Sequence, residues 1–125
     1  MLQAYIDMLA DAFNVNGCTT RKDYWAAISM AIFVPLALML LSAIFRHSNT
    51  LLLAILSIMM LILYLILIAV TIPAVIAINA RRLHDIGISG WWQLVYFIPG
   101  IGPLWLFILL CSSSQLKNNP YRQES

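Results

Sequence analysis

A short run of ionisable side chains, Arg81-Arg82-Leu83-His84-Asp85, lies between two long apolar stretches of the sequence. Arg82 and Asp85 are three positions apart in this run, and Arg81 and Asp85 are four positions apart. We expect the run to be helical. Residues at these spacings are neighbours on a helix surface. The run therefore predicts a cluster in which guanidinium, imidazole and carboxylate groups lie within reach of one another.

One interpretation of this cluster is structural. Charges at the ends of membrane segments commonly act as anchors and fix the topology. Under this interpretation a carboxylate ties down an arginine, and aromatic side chains hold the neighbouring segment at the interface. The residues assigned to such a clamp are Asp85, Asp23, Trp91 and Trp92.

A second interpretation is recognition of an anionic group. Arginine binds phosphate through two parallel hydrogen bonds and tolerates partial burial better than lysine does. A basic pocket between helix ends at a membrane face is a known form of anionic-lipid site. The acidic group of a partner protein is the other expected ligand. The candidate binding residues are Arg21, Lys22, Arg81, Arg82 and His84.

A third interpretation is enzymatic, with His84 as general base and Asp85 as its orienting partner in chemistry on a lipid phosphate. Consecutive residues of a helix point about 100° apart, so Asp85 is poorly placed for this role. The sequence has no Ser-His pairing, metal-ligand spacing or glycine-rich phosphate loop. It therefore predicts a non-enzymatic protein without a metal or cofactor, and keeps the His84 enzyme as an alternative.

The elements that position this cluster are apolar. The chain has 125 residues, of which 62% are hydrophobic and 10% charged, and its mean hydropathy is +0.89. Soluble domains carry about 25% charged residues. Asp, Glu, Lys and Arg are absent from 25–45, 47–80 and 86–116, and a spanning helix needs roughly 20 apolar residues. The sequence predicts a single all-α membrane domain, 1–125, with hydrophobic segments at 24–45, 51–78 and 91–110.

The residues before the first segment predict an amphipathic helix over 2–13 that lies in the membrane interface. Its apolar face would consist of Leu2, Ile6, Leu9 and Phe13. Its polar face is acidic, whereas helices that bind anionic lipid are usually rich in Lys and Arg. We therefore expect it to pack against protein.

Capping signals mark where the membrane helices begin. Thr20, with Asp23 three residues later, resembles a capping box, and Ser89 or Gly90 would cap the third segment. Arg21 and Lys22 then occupy the first turn, which is the unfavourable end of the helix dipole for cations. Membrane topology or headgroup phosphates would explain their placement.

The third segment contains two prolines and two glycines at Pro99–Pro103 and cannot form a straight helix. It is either a broken crossing or a re-entrant hairpin, and each half is too short to cross alone. We favour a broken crossing, which would place Cys18 and Cys111 on opposite faces. A broken crossing would place four Lys and Arg residues on the inner side of the membrane, together with the N-terminus, and three on the outer side. A hairpin, which remains the alternative, would place six Lys and Arg residues on the inner side and one on the outer side. The polar tail, 112–125, is expected to be loosely ordered.

The motif around the cluster resembles a known family. The matching residues are Arg81-Arg82-Leu83-His84-Asp85, Gly87, Ser89, Trp91-Trp92, Ile98-Pro99 and Ile101-Gly102, with Gly17, Thr20, Arg21, Tyr24 and Trp25 near the N-terminus. This pattern is similar to domain of unknown function 805, the small bacterial inner-membrane proteins of the YhaH and YhaI type. Cys18 stands where the family usually has an arginine, and the tail keeps only Asn118, Asn119 and Pro120-Tyr121 of the usual ending. The resemblance implies a multi-pass protein of the bacterial inner (cytoplasmic) membrane and no particular activity.

Partners are predicted from the size and surface of the chain. So small a bundle is expected to form a homo-oligomer or to join a larger membrane complex, and a small channel or transporter is an alternative. The small residues Ala69, Ala74 and Ala77 would permit close contact between helices. Membrane lipids, including anionic phospholipid, are expected ligands. A nucleic-acid partner is not expected, because the sequence has no extended basic stripe.

Overall fold

The computed structural model describes residues 1–47 and 49–122, and this part of the chain contains helices and no strands. The elements are α1 (Leu2–Ala10), α2 (Arg21–Arg46), α3 (Leu51–Asp85), a 3₁₀ helix (Gly90–Phe97) and α4 (Ile101–Cys111). The all-helical prediction is confirmed. Residue 48 of the predicted loop and residues 123–125 of the predicted tail lie outside the described residues.

Two helices of the described chain, α2 and α3, are long and apolar enough to cross a membrane. At 1.5 Å per residue, the 26 residues of α2 extend about 39 Å and the 35 residues of α3 about 52 Å. Both exceed the roughly 30 Å thickness of a bilayer core. The helix that begins with the second predicted segment continues past Ile78 to Asp85, so the charged run is helical as expected.

Small side chains fill the contact between α2 and α3. Ala27 and Ala31 of α2 lie in one buried cluster with Ala74 of α3, and Ala77 of α3 is buried as well. Small residues at such contacts let helix backbones approach closely. Ala74 and Ala77 thus serve a contact inside the chain, whereas Ala69 is exposed.

The first helix, α1, packs against both α2 and α3. It ends at Ala10, before the predicted end at residue 13, and buries Tyr5 and Met8. Leu2, Ile6 and Phe13 of the predicted apolar face are instead exposed. Because α1 is apolar on more than one side, periodicity alone did not identify the side that contacts protein.

The third hydrophobic segment is divided, as predicted, and its two halves form a hairpin. The 3₁₀ helix ends before Ile98, and α4 begins after Gly100, whose φ of 86° is readily adopted only by glycine. Eight residues at 2.0 Å and eleven at 1.5 Å give legs of about 16 Å each. A Cβ added at Gly102 would overlap the carbonyl of Val95, so the two legs are in close contact.

The hairpin returns to the end of α3 from which it starts. The carbonyl oxygens of Leu110 and Ser112, at the end of α4, accept hydrogen bonds from the Arg82 side chain. The path of the chain in this structure is therefore that of the hairpin alternative and not of the favoured broken crossing. Prolines and glycines break a helix without determining the direction of the chain afterwards.

Two further expectations change with the hairpin. Arg21 Nη1 lies 3.5 Å from the carbonyl oxygen of Cys111, so Cys18 and Cys111 are at the same end of the fold and not on opposite faces. The tail is also less loose than expected. Its described part, 112–122, packs against the end of α3, where Gln115 N donates to the carbonyl of Asp85 at 2.9 Å.

Candidate functional site

Arg82 is the most enclosed cation of the described chain, with 0% of its surface exposed. Its Nε donates to the carbonyl oxygen of Leu110 at 3.2 Å, and its Nη2 donates to that of Ser112. The last carbonyls of a helix have no partner within the helix and carry the negative end of its dipole. Arg82 therefore caps α4 with a side chain supplied by α3.

Asp85 is the buried counter-ion of Arg82. Its carboxylate accepts hydrogen bonds from Arg82 Nη1, from the Ser114 hydroxyl and, at 3.3 Å, from Arg122 Nη2. The Arg82–Asp85 pair is one helical turn apart on α3, as the spacing predicted. Two guanidinium groups surround one carboxylate, so this centre carries a net charge of about +1.

Arg81 takes part in a different contact. Its Nη1 lies 2.9 Å from Asp11 Oδ2, just after α1, and not against Asp85. Its own carbonyl accepts a hydrogen bond from Thr19 N at 3.2 Å. The two adjacent arginines thus attach different parts of the chain to α3: Arg81 holds the N-terminal region, and Arg82 holds the hairpin.

The start of α2 contributes the exposed part of the predicted cluster. Thr20 caps the helix as predicted, since its Oγ1 accepts from Asp23 N at 3.3 Å and its hydroxyl donates to Asp23 Oδ2 at 2.7 Å. Arg21 and Lys22 are exposed in the first turn. Arg21 reaches the end of α4 through Cys111, whereas no contact with the Arg82–Asp85 pair is seen for Lys22 in the described chain.

His84 faces the tail. Its ring stacks on Tyr121 with centroids 4.2 Å apart and an interplanar angle of 11°. Its carbonyl accepts from Asn119 Nδ2 at 2.8 Å, and the same amide nitrogen donates to the carbonyl of Asp85 at 3.1 Å. Asn119 therefore holds the tail against the last turn of α3.

The two tryptophans lie at the start of the hairpin. Ser89 caps the 3₁₀ helix, and its side chain accepts from Trp91 N at 3.4 Å. Trp91 and Trp92 are 77% and 49% exposed. Their exposure at the entrance to an apolar segment is typical of aromatic residues at a membrane interface.

Cys18 lies beside this site. Its thiol donates to the carbonyl of Tyr121 at 3.7 Å, and it lines a cavity of about 670 Å³ with His84, Tyr121 and Arg122. Burial raises the pKa of the Cys18 thiol, and the nearby Asp85 carboxylate raises it further. Among the residues the structure describes, no group of three or more His, Cys, Asp or Glu side chains could hold a metal ion.

The residues that the sequence did not identify are all distant along the chain. Asp11, Ser114, Asn119, Tyr121 and Arg122 contact the predicted cluster from the N-terminal region and the tail. The faint match of Asn119 and Pro120-Tyr121 to the family's ending was the one available signal.

The chain matches known proteins over nearly its whole length. The site and the two long apolar helices define a small helical membrane protein, and the chain belongs to the family described as Protein of unknown function (DUF805), whose model matches residues 12–123. It is 30% identical to inner membrane protein YhaI of Escherichia coli K12 over 96% of this chain and 92% of that protein. It is also 30% identical to inner membrane protein YhaH of the same strain over 94% and 91% of the two chains. No solved structure matches the chain significantly. The predicted family and its membrane character are confirmed.

Proposed function

We propose that this is a non-enzymatic, multi-pass protein of the bacterial inner membrane. In this proposal α2 and α3 cross the bilayer, and the 3₁₀ helix and α4 form a re-entrant hairpin. The observation that carries it is the return of α4 to Arg82, since the third segment then begins and ends on one side. Legs of about 16 Å reach roughly the middle of a 30 Å core.

The distribution of cations supports a cytoplasmic location for the site. The end of the fold that holds the Arg82–Asp85 pair carries six of the seven Lys and Arg residues: Arg21, Lys22, Arg81, Arg82, Lys117 and Arg122. Arg46 lies at the other end of α2. Cytoplasmic loops carry an excess of Lys and Arg, so both termini are proposed to face the cytoplasm.

We further propose that the role of the charged end is to hold the hairpin and to bind an anionic group, not to catalyse a reaction. The guanidinium of Arg82 donates to protein oxygens, and that of Arg81 pairs with Asp11. The groups that can still meet an external anion are the exposed Arg21 and Lys22, Arg122, which shares Asp85 with Arg82, and the ring N–H of His84.

The arrangement also argues against catalysis by a His84–Asp85 pair. The Asp85 carboxylate accepts from Arg82, Ser114 and Arg122, and no hydrogen bond from His84 to it is found in the described chain. For Asp85 to orient His84 as in a catalytic triad, the two side chains would have to be within hydrogen-bond reach of each other. Assembly with a second copy or a larger membrane complex stays a prediction.

Single cysteines test the proposed topology. In a Cys18→Ser/Cys111→Ser background, Asn16→Cys, Asn49→Cys and Lys117→Cys each place a thiol at an exposed position. We expect a membrane-impermeant maleimide to label position 49 in intact cells, and to label positions 16 and 117 only after permeabilisation. Labelling of positions 49 and 117 together in intact cells would show that the third segment crosses, and would overturn the proposal.

A further inference from the structure

Three cavities lie along the side of α3 that faces the hairpin and the tail. The first, of about 550 Å³, lies between α3 and the hairpin, and its lining includes Asn79, Gln93, Leu94 and Phe97. The second, of about 390 Å³, shares Gln93 with the first and also contacts Trp91. The third is the cavity beside Cys18, which shares His84 and Tyr121 with the second. Neighbouring cavities in this series share lining residues, and we call the series the trough.

The chemistry of the trough changes along its length. The part between α3 and the hairpin is mostly apolar, with Val75, Ile76 and Leu106 completing its walls. The middle lies beside Trp91, a residue type that prefers the level of lipid headgroups. The far part contacts Arg122 and His84. A ligand that fits this gradient is long, apolar at one end and negatively charged at the other.

Two amides at the border of the apolar part have unused hydrogen-bonding groups. Asn79 Oδ1 accepts from the Tyr24 hydroxyl at 2.9 Å, but its Nδ2 has no protein partner in the described chain. The side-chain amide of Gln93 likewise has no hydrogen-bond partner in the described chain. Polar groups at membrane depth are costly when they lack a partner. The ester oxygens of a lipid would supply acceptors at this level.

The charged end of the trough complements an anion. Arg122 is about one third exposed and shares Asp85 with the fully buried Arg82, so the carboxylate does not neutralise both guanidinium groups. The His84 ring nitrogens make no hydrogen bond to the described protein, although the ring is held by stacking on Tyr121. A guanidinium forms strong, charge-assisted hydrogen bonds with phosphate, and an imidazole N–H is a further donor.

We infer that the trough binds one anionic diacyl phospholipid, with its phosphate at Arg122 and His84 and one acyl chain between α3 and the hairpin. This inference deepens the proposed binding function and rests on the proposed placement of the hairpin in the membrane. The cavity volumes lie within or near the range of about 300–1,000 Å³ typical of small-molecule sites. The phosphate source is a lipid and not a free ion, because the charged cavity and the apolar cavity each share lining residues with the cavity between them.

Native mass spectrometry of the detergent-extracted full chain tests this inference. The probes are diacyl phosphatidylglycerol, diacyl phosphatidylcholine of the same chain length, and inorganic phosphate. We expect the wild type to retain one phosphatidylglycerol per chain, at least about tenfold more tightly than phosphatidylcholine. Inorganic phosphate should not displace it at equal concentration.

Two matched pairs of variants locate the lipid. Leu94→Trp fills the apolar part, and Leu63→Trp makes the same change at a similarly exposed position on the outer face of α3. Arg122→Gln removes a charge from the trough, and Lys117→Gln removes one from the exposed tail. We expect Leu94→Trp and Arg122→Gln to weaken retention about tenfold and the two controls to leave it unchanged. A folded state in each variant is verified by circular dichroism.

Three outcomes would overturn the inference. Equal retention of both lipids by every variant would mean that only bulk membrane lipid is carried along. Full displacement by inorganic phosphate, with Leu94→Trp behaving like the wild type, would mean a site for free anions. A lipid-free dimer lost in Leu94→Trp would mean that a second copy fills the groove. Because cysteine labelling measures topology separately, loss of the lipid site with intact labelling would leave the proposed membrane architecture standing.

Discussion

Arg82 Nε donates to the carbonyl oxygen of Leu110 at 3.2 Å, and this hydrogen bond joins the last turn of α3 to the last turn of α4. The two residues are 28 positions apart, with the whole hairpin between them. A buried arginine needs acceptors for its donors, and a helix end needs donors for its carbonyls. Each partner therefore satisfies a requirement of the other.

Removing the Arg82 side chain should be far more harmful than removing that of Arg81. Arg82→Ala leaves the Asp85 carboxylate without its main buried counter-ion and the α4 carbonyls without donors, a change expected to cost about 3–5 kcal/mol. Arg81→Ala breaks a pair with Asp11, whose side chain is 46% exposed, and should cost about 1 kcal/mol or less. Unfolding of both variants in mixed detergent micelles measures the difference, and equal losses would contradict it.

The double variant Arg82→Met/Asp85→Leu should be more stable than Arg82→Ala alone. Replacing both members of a buried ion pair by apolar residues removes the uncompensated charge, which is the main penalty of the single change. The same unfolding assay applies. If the double variant is less stable than the single one, the remaining partners of Asp85 suffice to stabilise its charge.

Gly102→Ala should open the hairpin. Its Cβ would overlap the backbone carbonyl of Val95, which cannot rotate away as a side chain can, so we expect a loss of about 1–3 kcal/mol. Ile101→Ala, at an adjacent exposed position, is the control and should change stability little. A wild-type melting temperature for Gly102→Ala would mean that the two legs are not in contact.

Asn119→Ala should release the tail. The two N–H groups of the Asn119 amide are shared among the carbonyls of His84, Asp85 and Gln115. A hydrogen bond of this kind contributes about 1 kcal/mol. Limited proteolysis after α4 should become several-fold faster, whereas Lys117→Ala should leave the rate unchanged because that side chain is exposed. Equal protection of both variants would show that other contacts hold the tail.

Cys18 should react slowly with maleimide near neutral pH. The thiolate is the reactive form, and a raised pKa lowers its fraction at a given pH. In a Cys111→Ser chain, we expect the Cys18 reaction to accelerate with pH over a range shifted upward from that of an exposed thiol. Asn16→Cys in the Cys18→Ser/Cys111→Ser background supplies that exposed reference. Identical pH profiles would contradict the effect of burial.

Composition was sufficient to predict the class of fold and the positions of the apolar segments. Hydropathy depends on local sequence, and so do the Thr20 and Ser89 caps and the Arg82–Asp85 spacing. The direction of the chain after Gly100 is not local: an apolar segment has the same composition whether it crosses or returns. Only the count of cations on each side favoured the return.

The contacts of the two arginines show the same limit. The spacing of Arg81 favoured Asp85, four residues away, whereas its partner in the structure is Asp11, 70 residues away in sequence. Burial of Arg82 likewise depends on carbonyls supplied by α4 and on a tail whose described part packs where loose order was expected. Long-range contacts of this kind require the folded chain.

The hairpin has a consequence for how the protein is made. Residues 86–116 contain no Asp, Glu, Lys or Arg, and under the proposed topology both flanks of this stretch remain on the side where the chain is synthesised. Once α2 and α3 are inserted, the hairpin can enter the bilayer without translocating any charged or polar segment. The third apolar segment then adds protein volume inside the bilayer without adding a membrane crossing. A domain fused to the C-terminus would not need to be exported across the membrane.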